Sequence, residues 1–254
     1  MAAKGCDVRW YDPAFGLYDS GVDAQLVMVC VPTPMGREGL VTKAVYQVAD
    51  WFTNAGVTCP IAIRSTVPVG TCDTLRRTYP RAGFFSWPEF LRAARADEDA
   101  AEPQYAVVGL PDGWLHEEAG MDWLAPLLPT GRIILTTPAT AEFIKLATNA
   151  LLATAVGIAN ELSELADGMR AAGLDISPGA WNDLLPQIAQ WDANMPHNIM
   201  VTPERGYGGA CLPKDVHGLL QAAHWWEVET PVLRAVEVAN HERRPQEYRA
   251  VFDE

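Results

Sequence analysis

Apolar positions along this 254-residue chain follow two regimes. Up to about residue 137, short continuous apolar runs alternate with amphipathic stretches. QLVMVCV (25–31), PIAIRST (60–66), GFFSW (83–87), YAVVGL (105–110) and RIILTT (132–137) read as strands. The continuous runs fit strands buried on both faces. CDVRWYD (6–12) reads as a further short strand ending in Asp12. Helices are predicted over 43–55, with Thr42 as cap and Gly56 closing it, and near 70–79. Two more fall in PEFLRAARADEDA (88–100) and over 113–128. Strands alternating with helices predict an α/β fold with a parallel sheet, a partial Rossmann-like sheet over 1–137.

Past residue 137 the period changes. Thr137 suits an N-cap and Pro138 a first helical position, and helix-compatible sequence runs to about 172, before Gly173. Such a helix is roughly 50 Å long at 1.5 Å per residue. Phe143, Leu146, Ala150, Leu151, Ile158, Leu165 and Met169 supply much of its apolar surface. Further helices are predicted near 178–190, 213–226 and 230–243. Residues 138–254 therefore read as an all-helical domain.

Composition narrows the function. Nearly half of the residues are apolar and a fifth are charged, as in ordinary globular domains. A formal net charge of −13 argues against nucleic-acid and anionic-membrane partners. No signal peptide and no run of about 18 apolar residues is evident. The five cysteines (6, 30, 59, 72 and 211) are odd in number and lack metal-type spacing. Reduced thiols in a cytoplasm, with no metal site, are expected.

The densest chemistry lies in Gly206-Tyr207-Gly208-Gly209-Ala210-Cys211-Leu212-Pro213-Lys214-Asp215. Glycines allow a tight backbone turn, and Pro213 presets a helix start that Asp215 supports. A cysteine at that entrance meets unpaired N–H groups and Lys214, which favour the thiolate. Cys30 and Cys59, in or beside apolar strands, are expected to be shielded. On the long helix, Glu142, Lys145, Asn149 and Asn160 fall within about 60° of one another. Such a strip is either a solvated edge or the wall of a site.

The cysteine string resembles the active-site loop G-[FY]-G-G-S-C-[FL]-P-K-D of the UDP-glucose/GDP-mannose dehydrogenases, departing only at Ala210. AEFIKLATNALLATAVGIANE (141–161) resembles that family's A-E-x-x-K-x-x-x-N-A-[FL]…N-E helix. VCVPTP (29–34) and RSTVPVGT (64–71) resemble its cleft-lining strand ends. WPEFLR (87–92) resembles N-P-E-F-L-R with Trp87 in place of Asn. The resemblance covers roughly residues 6–244.

Some family features do not match. The eleven residues before Asp12 hold no G-x-G-x-x-G turn for the NAD pyrophosphate. The segment from Asp12 to residue 25 is shorter than in the family. DANMPHNIM (192–200) replaces a D-x-R-I-G pattern, and no second α/β unit for the nucleotide follows.

The resemblance implies NAD-dependent oxidation of a nucleotide sugar's C6 alcohol to the acid through a Cys211 thioester. It implies that Lys145 and Asn149 stabilise the oxyanion, that Asp215 and Thr66 order water, and that Glu89 helps hydrolysis. Val31, Pro32, Thr33, Ser65 and Thr66 would face the cofactor, and Phe90, Leu91, Arg92, Gly208 and Gly209 the sugar nucleotide. Weak NAD binding is expected without the glycine turn. A homodimer paired through the long helix is implied, with Leu151, Ile158 and Leu165 at its seam. A non-catalytic association module is the alternative.

Overall fold

The computed structural model describes residues 5–19, 21–91, 96–101, 103, 105–115, 124, 127–128, 131–176 and 206–249. In chain order these give β1 (Tyr11–Asp12), β2 (Leu17–Tyr18), β3 (Val27–Val29), β4 (Met35–Gly36), β5 (Gly39–Leu40) and α1 (Lys43–Asn54). Next come β6 (Pro60–Ile63), α2 (Thr71–Thr78), β7 (Gly83–Ser86), α3 (Ala96–Ala101), β8 (Tyr105–Gly109), α4 (Asp112–Leu115) and β9 (Arg132–Thr136). Three long helices follow, α5 (Pro138–Ala171), α6 (Leu212–Trp225) and α7 (Pro231–Arg243). The expected helix near 178–190 and the DANMPHNIM segment lie outside the described residues, as does most of 113–128.

The five-stranded sheet has the order β3-β6-β7-β8-β9. Alternation of side chains sends Val27, Val29, Ile61, Ile63 and Phe84 to one face, where they pack with Val45, Phe52 and Leu75 of α1 and α2. Ala62, Phe85, Ala106 and Val108 form the core of the other face with Trp87, Leu110 and Leu124. Both faces are covered over β3, β6, β7 and β8, as their continuous apolar runs predict. The edge strand β9 departs from that expectation, with Ile133 41% and Leu135 49% exposed.

Three expectations are corrected. The sheet is mixed, because β8 runs antiparallel to β7 at the single pair Ser86↔Gly109 while β8 and β9 are parallel. Residues 6–12 do not enter it. Only Tyr11–Asp12 forms a strand, and it pairs antiparallel with β2 around a short 3-10 turn, Pro13–Phe15. Asp12 caps that turn by accepting the Ala14 N–H at 3.1 Å, and Tyr11 packs on Trp51 of α1 with ring centroids 4.2 Å apart. Finally, residues 87–91 are not helical, and among the described residues the helix of this segment is Ala96–Ala101.

Thr42 sits at the start of α1 without a side-chain capping bond. Thr137 does cap α5, its hydroxyl accepting the Thr140 N–H at 3.3 Å. The helix runs for 34 residues and is long and apolar enough by composition to cross a membrane. Within it, however, Glu142, Lys145, Asn149 and Asn160 are all buried in the protein, which is the arrangement of a core helix. Two compact units are resolved: Met1–Thr33 with Val41–Lys145, and Pro34–Leu40 with Leu146–Glu254.

Candidate active site

In the first unit, the C-terminal ends of β3, β6 and β7 open into three loops. After β3, the Thr33 hydroxyl donates to the Thr66 carbonyl at 2.6 Å. The Ser65 hydroxyl donates to the Val31 carbonyl at 2.7 Å, so the 31–33 and 65–66 loops are stitched together. Thr33 is buried, Val31, Ser65 and Thr66 are half-buried, and Pro32 is exposed. The donor protons of Thr33 and Ser65 are thus used inside the protein, leaving their oxygens as acceptors.

After β7, Trp87 is buried, stacked with Phe85 and covered by the Arg64 guanidinium 5.1 Å from its ring. Trp87 carries the chain past the sheet to Glu89. There Glu89 Oε1 lies 3.6 Å from the buried Lys145 Nζ, while Oε2 accepts the Leu91 N–H at 2.6 Å. The Phe90 ring lies 5.3 Å from the same ammonium, a cation–π contact. Leu91 is exposed, and Arg92 lies outside the described residues.

One turn before Lys145, Glu142 is 2% exposed. Its two oxygens accept the N–H groups of Gly70 at 2.6 Å and Cys72 at 2.9 Å, at the start of α2. Burial is the main influence on this carboxyl and pushes its pKa up to about 7 against the two backbone bonds. Glu142 therefore braces the loop that carries Ser65 and Thr66.

In the second unit, Cys211 is exposed at the N-cap of α6. One turn on, Asp215 is fully buried, with Oδ1 2.5 Å from Lys214 Nζ and Oδ2 accepting the Asn149 side-chain amide at 2.5 Å. Asn149 lies four residues after Lys145 on α5. The Asn160 amide turns back to the Val156 carbonyl of its own helix. All four members of the polar strip are buried, which rules out a solvated edge.

The cysteines differ from expectation at one position. Cys30, the residue after β3, is exposed, whereas Cys72 has no exposed surface. Burial, reinforced by Glu142, raises the Cys72 thiol well above the ordinary range. A strand end that opens into the loop region leaves Cys30 uncovered, which an apolar run alone does not reveal.

Residues 139–242 match the central domain of the UDP-glucose/GDP-mannose dehydrogenase family. A UDP-glucose 6-dehydrogenase of Rickettsia typhi is 32% identical over 233 residues, covering 88% of this chain and 50% of the relative. The chain belongs to the UDP-glucose/GDP-mannose dehydrogenase family. A UDP-glucose 6-dehydrogenase of Pseudomonas aeruginosa is 31% identical over 230 residues, 86% of this chain and 49% of that protein. Among solved structures, a UDP-glucose dehydrogenase from Pyrobaculum islandicum superposes with a TM-score of 0.70 at 23% identity, over 87% of this chain and 51% of that one. A GDP-mannose dehydrogenase of P. aeruginosa, at 26% identity and a TM-score of 0.55, covers 92% of this chain and 54% of its own. The chain spans about half the length of the curated relatives it matches.

Several residues that shape the site carry no obvious sequence signal. Glu142 sits in the family-like E-x-x-K spacing, but its role at α2 needs the fold. Asn240 and His217 contact segments 33 and 180 residues away in sequence.

Proposed function

We propose that this chain carries the thiol chemistry of a nucleotide-sugar dehydrogenase, oxidising the C6 alcohol of a UDP- or GDP-linked sugar to the carboxylate. The observation that carries the reading is the Cys211 loop: an exposed thiol at a helix N-terminus, one turn before a buried carboxylate held by Asn149 and Lys214. When bound, NAD supplies the hydride acceptor, two equivalents for each sugar. The residues present suit its nicotinamide end, at the stitched loops bearing Val31, Pro32, Thr33, Ser65 and Thr66. They do not suit its pyrophosphate end, because Asp12 caps a short turn in a hairpin outside the sheet.

In this reading the Cys211 sulfur adds to the C6 aldehyde, its proton passing to the new oxyanion, and gives a thiohemiacetal. Loss of a hydride and of the hydroxyl proton converts this to the thioester. Water then releases the acid and returns the thiol. Lys145 and Asn149 are assigned to the oxyanion, since fixed donors stabilise charge where it develops. Glu89 and Asp215, each paired to a cation, hold proton-accepting oxygens, and with Thr66 are assigned to ordering the attacking water. Phe90, Leu91, Arg92, Gly208 and Gly209 are assigned to the sugar nucleotide. A cytoplasmic setting with reduced thiols suits this chemistry, as does a homodimer through α5.

The alternative, a non-catalytic association module, is favoured by one observation: residues 6–12 add no strand to the sheet. An NADH-production assay with UDP-glucose, UDP-N-acetylmannosamine and GDP-mannose separates the two. Turnover abolished by Cys211→Ser supports the dehydrogenase. No NADH with any of the three, from a folded chain at saturating NAD⁺, supports the module.

A further inference from the structure

The loop that presents Cys211 is not held by its own glycines. Gly206, at φ +88°, and Gly208 lie against one face of α7 and the 3-10 turn after it, Pro245–Tyr248. A Cβ on Gly206 would come within 2.8 Å of Asn240 Oδ1 and 2.9 Å of Arg244 Cγ. One on Gly208 would come within 2.5 Å of Glu247 Oε1 and 2.8 Å of Arg244 Cζ. Asn240, Arg244 and Glu247 recur at i, i+4 and i+7, and Arg244 is tied to Glu247 at 3.2 Å. These glycines are bare because a platform of side chains occupies the space where their Cβ atoms would be.

Between the two glycines the contact becomes specific. Asn240, 2% exposed, accepts the Tyr207 N–H on Oδ1 at 2.7 Å and donates from Nδ2 to the Tyr207 carbonyl at 2.9 Å. One side-chain amide thus pairs with both backbone groups of one residue, as a neighbouring strand would. The same Nδ2 reaches the Tyr248 hydroxyl at 3.1 Å, and the Tyr207 ring is buried beside Ala153 and Val216. Only an amide of this length supplies the acceptor and the donor together: Asp lacks the donor, and Leu has neither.

We propose that Asn240 is a positioning residue for Cys211. By clamping the Tyr207 backbone four residues upstream, it fixes the turn that delivers the sulfur to the N-terminus of α6. The proposal rests on the reading of Cys211 as the nucleophile.

The test is iodoacetamide labelling of the full chain near neutral pH, with Cys211, Cys30 and Cys72 quantified separately by peptide mass spectrometry. Amide hydrogen exchange is followed at Tyr207. In Asn240→Leu the Cys211 rate should fall roughly ten-fold, as expected for the loss of the two neutral hydrogen bonds to the Tyr207 backbone, while exposed Cys30 keeps its rate and buried Cys72 stays unlabelled. Asn240→Asp, which retains the acceptor for the Tyr207 N–H, should fall between Leu and wild type. A residue that merely stabilised the fold would open Cys72 and leave the Cys211-to-Cys30 ratio unchanged, and that result overturns the proposal. If Asn240→Leu fails to fold, Asn240→Asp decides, and a wild-type Cys211 rate there overturns it. Wild-type Cys211 labelling no faster than Cys30 would sink the nucleophile reading instead. The clamp is then judged by Tyr207 exchange, which must accelerate in Asn240→Leu.

Discussion

The side-chain amide of Asn149 meets the carboxylate of Asp215 at 2.5 Å, and Asp215 has no exposed surface. Lys214 approaches the other oxygen at the same distance. Two elements far apart in sequence, α5 and α6, are therefore joined through one carboxylate. Asp215→Ala leaves a largely covered ammonium and a buried amide without their acceptor. The expected cost is about 3 kcal/mol, as for breaking buried ion pairs. Asp215→Asn keeps an acceptor for Asn149 and should cost about 1–2 kcal/mol. Urea denaturation with unchanged slope measures both, and equal stability of the alanine variant and wild type would contradict the geometry.

Glu142 should make stability depend on pH. Burial raises its carboxyl to about 7, with Asp73 adding to the rise, so the native state keeps a proton that the unfolded chain releases near 4.5. Its contribution is fully present below about pH 4.5 and is lost as pH rises through about 7. Its neighbours are Gly70, Cys72 and Asp73 of the α2 start and Tyr46 of α1. In Glu142→Gln, thermal midpoints recorded between pH 5 and 8 should lose this decline. An unchanged profile would show that the carboxyl titrates normally.

His217 should titrate in the same direction for a different reason. Its Nδ1 lies 2.9 Å from Glu237 Oε1 and its Nε2 lies 3.3 Å from the Arg37 carbonyl. Two acceptors require two ring protons, hence an imidazolium. Burial lowers its pKa, but the bond and charge of Glu237, with the carbonyls of Arg37 and Gly36, outweigh this and the net shift is upward. The hairpin of β4 and β5 is therefore pinned to α6 most firmly below the unfolded pKa of about 6.5. The pin weakens as pH rises through the higher folded value. An imidazole NMR titration of wild type, with His217→Gln to assign the signal, checks this. A midpoint below 6.5 refutes the ion pair.

NAD⁺ should bind the chain weakly. Dinucleotide affinity in such sheets comes from N–H groups after a glycine turn, at a helix N-terminus. Residues 11–18 form a hairpin on α1 in place of that arrangement. Losing several charge-assisted hydrogen bonds, at roughly 1.5–3 kcal/mol each, leads to a millimolar Kd. Calorimetric titration that returned a micromolar Kd would reverse this expectation.

The chain should self-associate through α5. Leu151, Ile158 and Leu165 are 68%, 45% and 55% exposed in the single chain, spaced seven residues apart on one stripe of the helix. Two-fold pairing would cover this stripe. Light scattering at tens of micromolar should give about twice the chain mass of 27.7 kDa. Ile158→Leu keeps the stripe apolar and should leave the dimer intact, whereas Ile158→Glu should produce a monomer.

What can be read in advance follows from which forces are local. β3, β6 and β8 are legible because strands buried on both faces must be apolar throughout. The start of α5 is legible because Thr137 and Pro138 carry their own capping geometry. The reversal of β8 is not, since an apolar strand reads the same whichever way it runs. The first hairpin has a cue that a strand reading passes over: Asp12-Pro13 with Gly16 at φ +69° builds the turn. In the candidate site, the cysteine loop and the E-x-x-K-x-x-x-N spacing are visible as residue types. The partners Glu89–Lys145, Asn149–Asp215 and Asn240–Tyr207 are not, because long-range contacts leave no period.

The α2 start, where Glu142 meets Gly70 and Cys72, behaves as a socket that comes with its plug. Backbone N–H groups at such a position attract anions from solution. Here both N–H groups are met by the oxygens of a carboxyl that belongs to the chain, held at an effective concentration that free solutes at millimolar levels do not match. Phosphate or sulfate in the buffer should leave this end of α2 undisturbed. The loop leading into it therefore keeps one shape across ionic conditions, which suits a segment whose job is to hold Ser65 and Thr66 still.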